Sequence, residues 1–143
     1  MSDAFTPRTR KILALAQDIA RRSGASELGD LPILIAIVEE NGGIAARVLR
    51  KLGLSLPPLY QDLPAPAVAS ALQPAAVDLP LSADVRRLMD IASDLARGVE
   101  ADSIGTEHLL LVMTRTPQTP AGQALARAGI TESAVRTAAA LLV

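Results

Sequence analysis

Apolar positions along the chain recur at helical spacing, and the same stripe occurs twice. Ile12, Leu15, Ala16 and Ile19 lie three or four residues apart, which places them on one face of a helix. Leu88, Ile91, Ala92 and Leu95 repeat that stripe later in the chain. Ahead of the first stripe, Thr6 reads as an N-cap and Pro7 as the first helical residue, where its missing N–H costs nothing. The matching helix opens at Ser82. Second helices are predicted from about Leu31 to Glu40 and from about Glu107 to Thr114, and third helices from about Gly43 to Leu52 and from about Pro120 to Ala128. Gly53 and Gly129 close the third helices where a left-handed backbone is needed. Short fourth helices follow Ser55 and Thr131, the latter with Glu132 in its first turn, where the helix dipole favours an anion.

These elements reflect an internal repeat. Displacing the sequence by 76 positions sets Phe5 on Leu81, and the halves stay in register without a gap as far as Tyr60 and Arg136. Arg10/Arg86, Asp18/Asp94, Arg21/Arg97, Gly29/Gly105, Leu34/Leu110, Leu49/Leu125 and Gly53/Gly129 are identical pairs, and Ile12/Leu88, Ile33/Leu109 and Ile37/Met113 keep their apolar character. Each unit is too small to bury its apolar faces alone. The expected fold is all-α: two tandem four-helix repeats packed as a pseudo-twofold, eight-helix domain. Repeat one is assigned to 5–62 and repeat two to 81–142, with 63–80 between them as a linker and the whole of 1–143 as one domain. Prolines at 64, 66, 74 and 80 break helices and mark that linker.

Composition narrows the function classes. Half of the 143 residues are hydrophobic and the mean hydropathy is +0.31, so a core can form. The longest apolar stretch, Leu31 to Val38, contains a proline and is far shorter than the roughly 20 residues a bilayer span needs, so no membrane role is expected. The N-terminal residues carry no secretory pattern and the chain has no cysteine, which fits a cytoplasmic protein. With 14 basic and 15 acidic residues interspersed, no basic face for nucleic acid is expected. The single Phe5 and the single Tyr60 provide no stacking platform.

Candidate chemistry is sparse. His108 is the only histidine, has no cysteine or second histidine to share a metal with, and is read as structural. Gly24 to Gly29 has the glycine spacing of a P-loop, but Asp30-Leu31 follows where Lys-Ser/Thr should stand, so the segment is read as a turn. No residues with catalytic spacing occur, and the chain is expected to be neither an enzyme nor the holder of a cofactor. Thr106 followed by Glu107 has a purely structural reading, a helix cap and an acid in the first turn. Arg10 and Arg86 stand at equivalent places near the starts of equivalent helices, either solvated or ready to meet an acidic ligand.

The segment Ile104-Gly105-Thr106-Glu107-His108-Leu109-Leu110-Leu111, the opening Phe5-Thr6-Pro7-Arg8 and the run Gly43-Ile44-Ala45-Ala46-Arg47-Val48-Leu49 together resemble the Clp N-terminal repeat. That repeat occurs twice in the amino-terminal domain of Clp-type AAA+ unfoldases, and the resemblance extends from Phe5 to Leu142. It implies a docking domain, freestanding or excised, whose partners are a Clp-type unfoldase, its substrates or its adaptors. The domain is expected to be a monomer. A protein that sequesters small molecules or cyclic peptides, and a structural accessory subunit of a Clp protease, are the alternative readings.

The resemblance also implies sites. The family's peptide groove lies between the starts of the first helices of the repeats, and Phe5, Arg10, Leu13, Leu81 and Arg86 match it. Its phosphoarginine pockets use the Thr-Glu of a Gly-Thr-Glu-His block, matched by Thr106 and Glu107. The first repeat reads Gly29-Asp30-Leu31-Pro32 there, and Leu31 cannot accept a hydrogen bond from a guanidinium group. One such pocket at most is expected.

Overall fold

A computed structural model of the chain describes residues 5–63, 78–99, 101 and 103–142. Among them are eight helices: α1 Pro7–Arg22, α2 Asp30–Glu40, α3 Ile44–Lys51, α4 Leu56–Gln61, α5 Ala83–Gly98, α6 Thr106–Thr114, α7 Pro120–Arg127 and α8 Glu132–Leu142. The fold is all-α, with each element of the first repeat matched in the second. Residues 64–77, most of the expected linker, lie outside the described residues.

Local chemistry sets the helix ends in matched pairs. The hydroxyls of Thr6 and Ser82 each accept a hydrogen bond from the backbone N–H three residues on, Thr9 and Val85, at 3.1 Å. After α3 and α7 the chain turns through Gly53 (φ 88°) and Gly129 (φ 75°). The next residues, Leu54 and Ile130, donate back to the carbonyls of Leu49 and Leu125 at 3.0 and 2.9 Å.

The second helix of each repeat forms the centre. Every residue of α2 from Asp30 to Val38 is buried, and α6 buries Thr106, His108, Leu109, Leu110, Val112 and Met113. A helix apolar all round must be covered on all sides, and here both repeats supply the cover. Helix α7 lies on α6 and also on α2, and α3 lies on α2, α6 and α8. The repeats thus interleave more closely than two bundles set side by side. Two backbone bridges join them: Phe5 pairs with Ile104, and Leu28 with Leu81. Thr6 N–H donates to Ile104 O at 3.1 Å and Ser82 N–H to Leu28 O at 3.0 Å. Each bridge becomes the other when the repeats are exchanged, as a pseudo-twofold axis requires. Beside them, the Gln17 amide clips the end of the linker to α1, donating to Leu79 O at 3.0 Å and accepting from Leu79 N–H at 2.8 Å.

Helix α8 is tied to α6 by charge. The Glu132 carboxylate accepts from Arg115 Nε at 2.9 Å and Nη2 at 2.7 Å, and from Arg136 Nε at 2.9 Å. These hydrogen bonds, Arg115's foremost, hold its carboxyl down at about 2 instead of the usual 4.5. A carboxyl lowered in the folded state stabilises fully above its unfolded value and loses that contribution as pH falls toward 2. Solvent screening keeps the contribution below about 1 kcal/mol. Glu132→Gln should therefore lower unfolding free energy slightly at pH 7, with most of the difference gone by pH 2. Urea melts at the two pH values measure this, and a difference unchanged at pH 2 would contradict it.

Candidate functional site

Two concave regions gather the residues singled out from the sequence. The first is a groove of about 440 Å³ between α1 and α5, lined among others by Phe5, Arg10, Leu13, Gln17, Leu28, Leu81 and Met89. Phe5 and Leu81 are equivalent residues of the two repeats, as are Leu13 and Met89, so the groove straddles the pseudo-twofold axis. Leu81 is 37% exposed on its wall. Arg21 and Asp78, an ion pair at 3.6 Å, stand at one end. Four of the five sequence-matched groove residues meet here. Arg86 does not: it is exposed on α5 and is not among the lining residues. Met89 takes part instead, and its register with Leu13 was the signal that could have found it.

The second region, of about 280 Å³, surrounds Thr106 and Glu107. It forms where the first turn of α6 meets the first turn of α3 from the other repeat. Its walls are Thr6, Arg8, Gly42, Gly43, Ile44, Arg47, Gly105, Thr106 and Glu107. Gly105 is the N-cap of α6 and Thr106 its first helical residue, so the capping role expected of Thr106 falls to its neighbour. The reason is His108, whose Nδ1 accepts from Gly105 N–H at 2.8 Å and satisfies the helix start from the third position. The Thr106 side chain is left to pack on Gly43. Gly105 also provides room: a Cβ there would lie 1.9 Å from the Glu107 carboxylate, which folds back over it.

Arg8 and Arg47, which the sequence pattern did not single out for this site, put two guanidinium groups on the same wall as the Glu107 carboxylate. Neither Gly43 nor Gly105 has a side chain to occupy the N–H groups of the helix it opens. Arg8 Nη1 donates to both carboxylate oxygens of Glu40 at 2.8 Å.

The equivalent place in the first repeat has the opposite character. Asp30 is buried there, and its carboxylate accepts from Ala121 N–H at 3.2 Å, capping α7 of the other repeat. Burial pushes its carboxyl above the usual carboxylate range. Leu31, in the place of Glu107, is only 4% exposed and belongs to the core. Asp84 stands where the second pocket has Arg8.

Among the described residues no helix is long and apolar enough to cross a membrane. The chain matches the family model of the Clp repeat (R) N-terminal domain over residues 4–128 and again over 80–143. It is 31% identical over 137 residues to the chloroplastic ClpA homolog of Brassica napus, an ATP-binding subunit of the ATP-dependent Clp protease, covering 96% of this chain and 16% of that protein. The chloroplastic chaperone protein ClpC1 of Arabidopsis thaliana is equally similar, with 96% of this chain and 15% of that protein covered. Among solved structures, the N-terminal domain of the caseinolytic protease associated chaperone ClpD from Arabidopsis thaliana superposes with a TM-score of 0.66 at 18% identity, over 99% of this chain and 98% of that one. A chain from a study of a malarial protein secretion system gives 0.68 at 17% identity, over 95% of this chain and 92% of that one. A duplicated four-helix unit, its Gly-Thr-Glu-His block and a family match spanning both repeats agree: the chain belongs to the Clp repeat (R) N-terminal domain family.

Proposed function

We propose that the chain is a non-enzymatic docking module of the Clp chaperone and protease system, which holds polypeptide from a substrate, an adaptor or the unfoldase in the groove between α1 and α5. The observation that carries this reading is the groove itself, an open channel on the pseudo-twofold axis whose walls are Phe5, Leu13, Leu81 and Met89 with Arg10 on the same surface. Apolar walls take up side chains of an unfolded segment, and a guanidinium meets its carboxylates or carbonyls.

Titration with fluorescein-labelled casein, followed by anisotropy, tests it. Burying one leucine side chain is worth about 1.5–3 kcal/mol, or roughly ten- to a hundredfold in affinity. Leu81→Asp should weaken binding at least tenfold, whereas Val99→Asp, at an exposed apolar position outside the groove, should leave it unchanged. Equal binding by both variants would remove the groove as the docking site.

The region around Thr106 is read as a second, phosphoarginine-type site. Glu107 is the acceptor for a guanidinium, and Arg8, Arg47 and the open start of α3 attract the phosphoryl group. With Leu31 in the core and Asp84 in the place of Arg8, the first repeat has no counterpart, so one phosphoarginine per chain is the expected stoichiometry.

A further inference from the structure

We propose that Glu40 is an internal competitor for the cationic wall of the Thr106 pocket, so that a ligand's phosphoryl group must compete with a carboxylate of the chain's own for Arg8 Nη1 and the Gly42 N–H. The inference rests on the reading of that pocket as a phosphoarginine-type site.

Three contacts carry it. Arg8 Nη1, on the pocket wall, lies 2.8 Å from both oxygens of Glu40. Glu40 Oε1 also accepts from Gly42 N–H at 3.1 Å, so a second donor of the same wall is engaged by the same carboxylate. The two partners are unequally sheltered: the Glu40 side chain is 15% exposed and that of Arg8 43%. The carboxylate is therefore the held partner and the guanidinium the one a ligand meets.

Gly42 shapes this arrangement. A Cβ there would fall 2.1 Å from Arg8 Nη1 and 2.9 Å from its Cζ, so the guanidinium occupies space that a side chain at position 42 would need. One of the pocket's two guanidinium groups is thus turned toward an anion already present. An entering carboxylate, singly charged, gains little by exchanging with another carboxylate. A phosphoryl group carries about −1.5 to −2 charges and three acceptor oxygens, so it can outbid Glu40 for the same donors. Glu40 in this way determines which anions the pocket admits and raises the threshold for all of them.

The test is calorimetric titration with free phosphoarginine of the whole chain, of Glu40→Gln and of Glu40→Ala, with thermal melts to verify folding. Glutamine keeps an acceptor for Gly42 N–H and Arg8 but removes the charge, and alanine removes both. Glu40→Gln should bind about tenfold tighter than the unaltered chain, in line with one charge–charge interaction in a partly exposed site. Adding Glu107→Ala should abolish binding in either background. Binding by Glu40→Gln or Glu40→Ala but not by the unaltered chain would support competition in its strongest form. If the unaltered chain binds and neither Glu40 variant binds tighter, Glu40 merely positions Arg8 and the inference fails while the pocket stands. If no version binds, the pocket reading fails and takes the inference with it.

Discussion

Replacing Gly122 by alanine should destabilise the domain by about 3 kcal/mol, although the same change inside an open helix stabilises by about 1 kcal/mol. The steric effect wins because of what a Cβ would meet. It would lie 1.8 Å from the carbonyl oxygen of Thr116, 2.6 Å from its carbonyl carbon and 3.0 Å from the Pro117 Cα. These are backbone atoms of the turn between α6 and α7, so no rotamer change clears the space. The turn is also anchored, with Thr119 N–H and its hydroxyl both donating to Thr116 O, at 3.2 and 3.0 Å. Gly122 N–H in turn donates to the Thr119 hydroxyl at 3.1 Å. The equivalent residue of the first repeat is Ala46, buried at 1% exposure, so the space is open there. Ala46→Gly should cost only about 1 kcal/mol, mainly from backbone entropy. Urea denaturation of both variants checks the pair, and near-equal midpoints would show that the turn yields.

Placing glutamate at position 31 should destabilise the domain by about 3 kcal/mol or more at pH 7 without adding any phosphoarginine binding to that of the parent. In sequence, Leu31→Glu repairs the first repeat toward the second. In space, it puts a carboxylate into the core, because Leu31 is 4% exposed whereas the Glu107 side chain is 39% exposed. Losing the leucine's burial costs about 1.5–3 kcal/mol, and burying a charge without a partner adds to it. Asp30, beside it, already has its carboxyl pushed up by burial, so a second anion meets repulsion as well. Its folded pKa would be raised, so the unfolded state would release the proton more readily and the variant would lose stability as pH rises through the carboxyl range. Melts at pH 5 and 7, with phosphoarginine titration, give the answer. A variant as stable as the parent that binds more phosphoarginine than the parent would overturn it.

These two residues show where reading along the chain stops. Gly122 and Ala46 align as a small-residue pair, each following an alanine, Ala121 and Ala45. The difference lies in how closely a turn approaches the helix. Leu31 departs from the family's Gly-Thr-Glu-His block where Glu107 matches it, yet Leu31 is a core residue and glutamate there would harm the fold. Arg8 shows the converse. It belonged to the Phe-Thr-Pro-Arg opening, but its place beside Thr106 depends on α3 and α6 meeting start to start from opposite repeats. Arg86 was paired with Arg10 by register, while Met89 of the second repeat is the residue that lines the groove.

Helix positions, the capping by Thr6 and Ser82, the glycine turns at 53 and 129 and the duplication itself were all legible in the residues. They depend on hydrogen bonds within a turn or two and on a period that any core-facing helix must keep. Which helix starts converge, which side chains they bring to one pocket and which equivalent position is buried were decided by interleaving of the repeats. Those contacts join residues from separate halves of the chain, and a repeat that looks the same in sequence packs against a partner that is not itself.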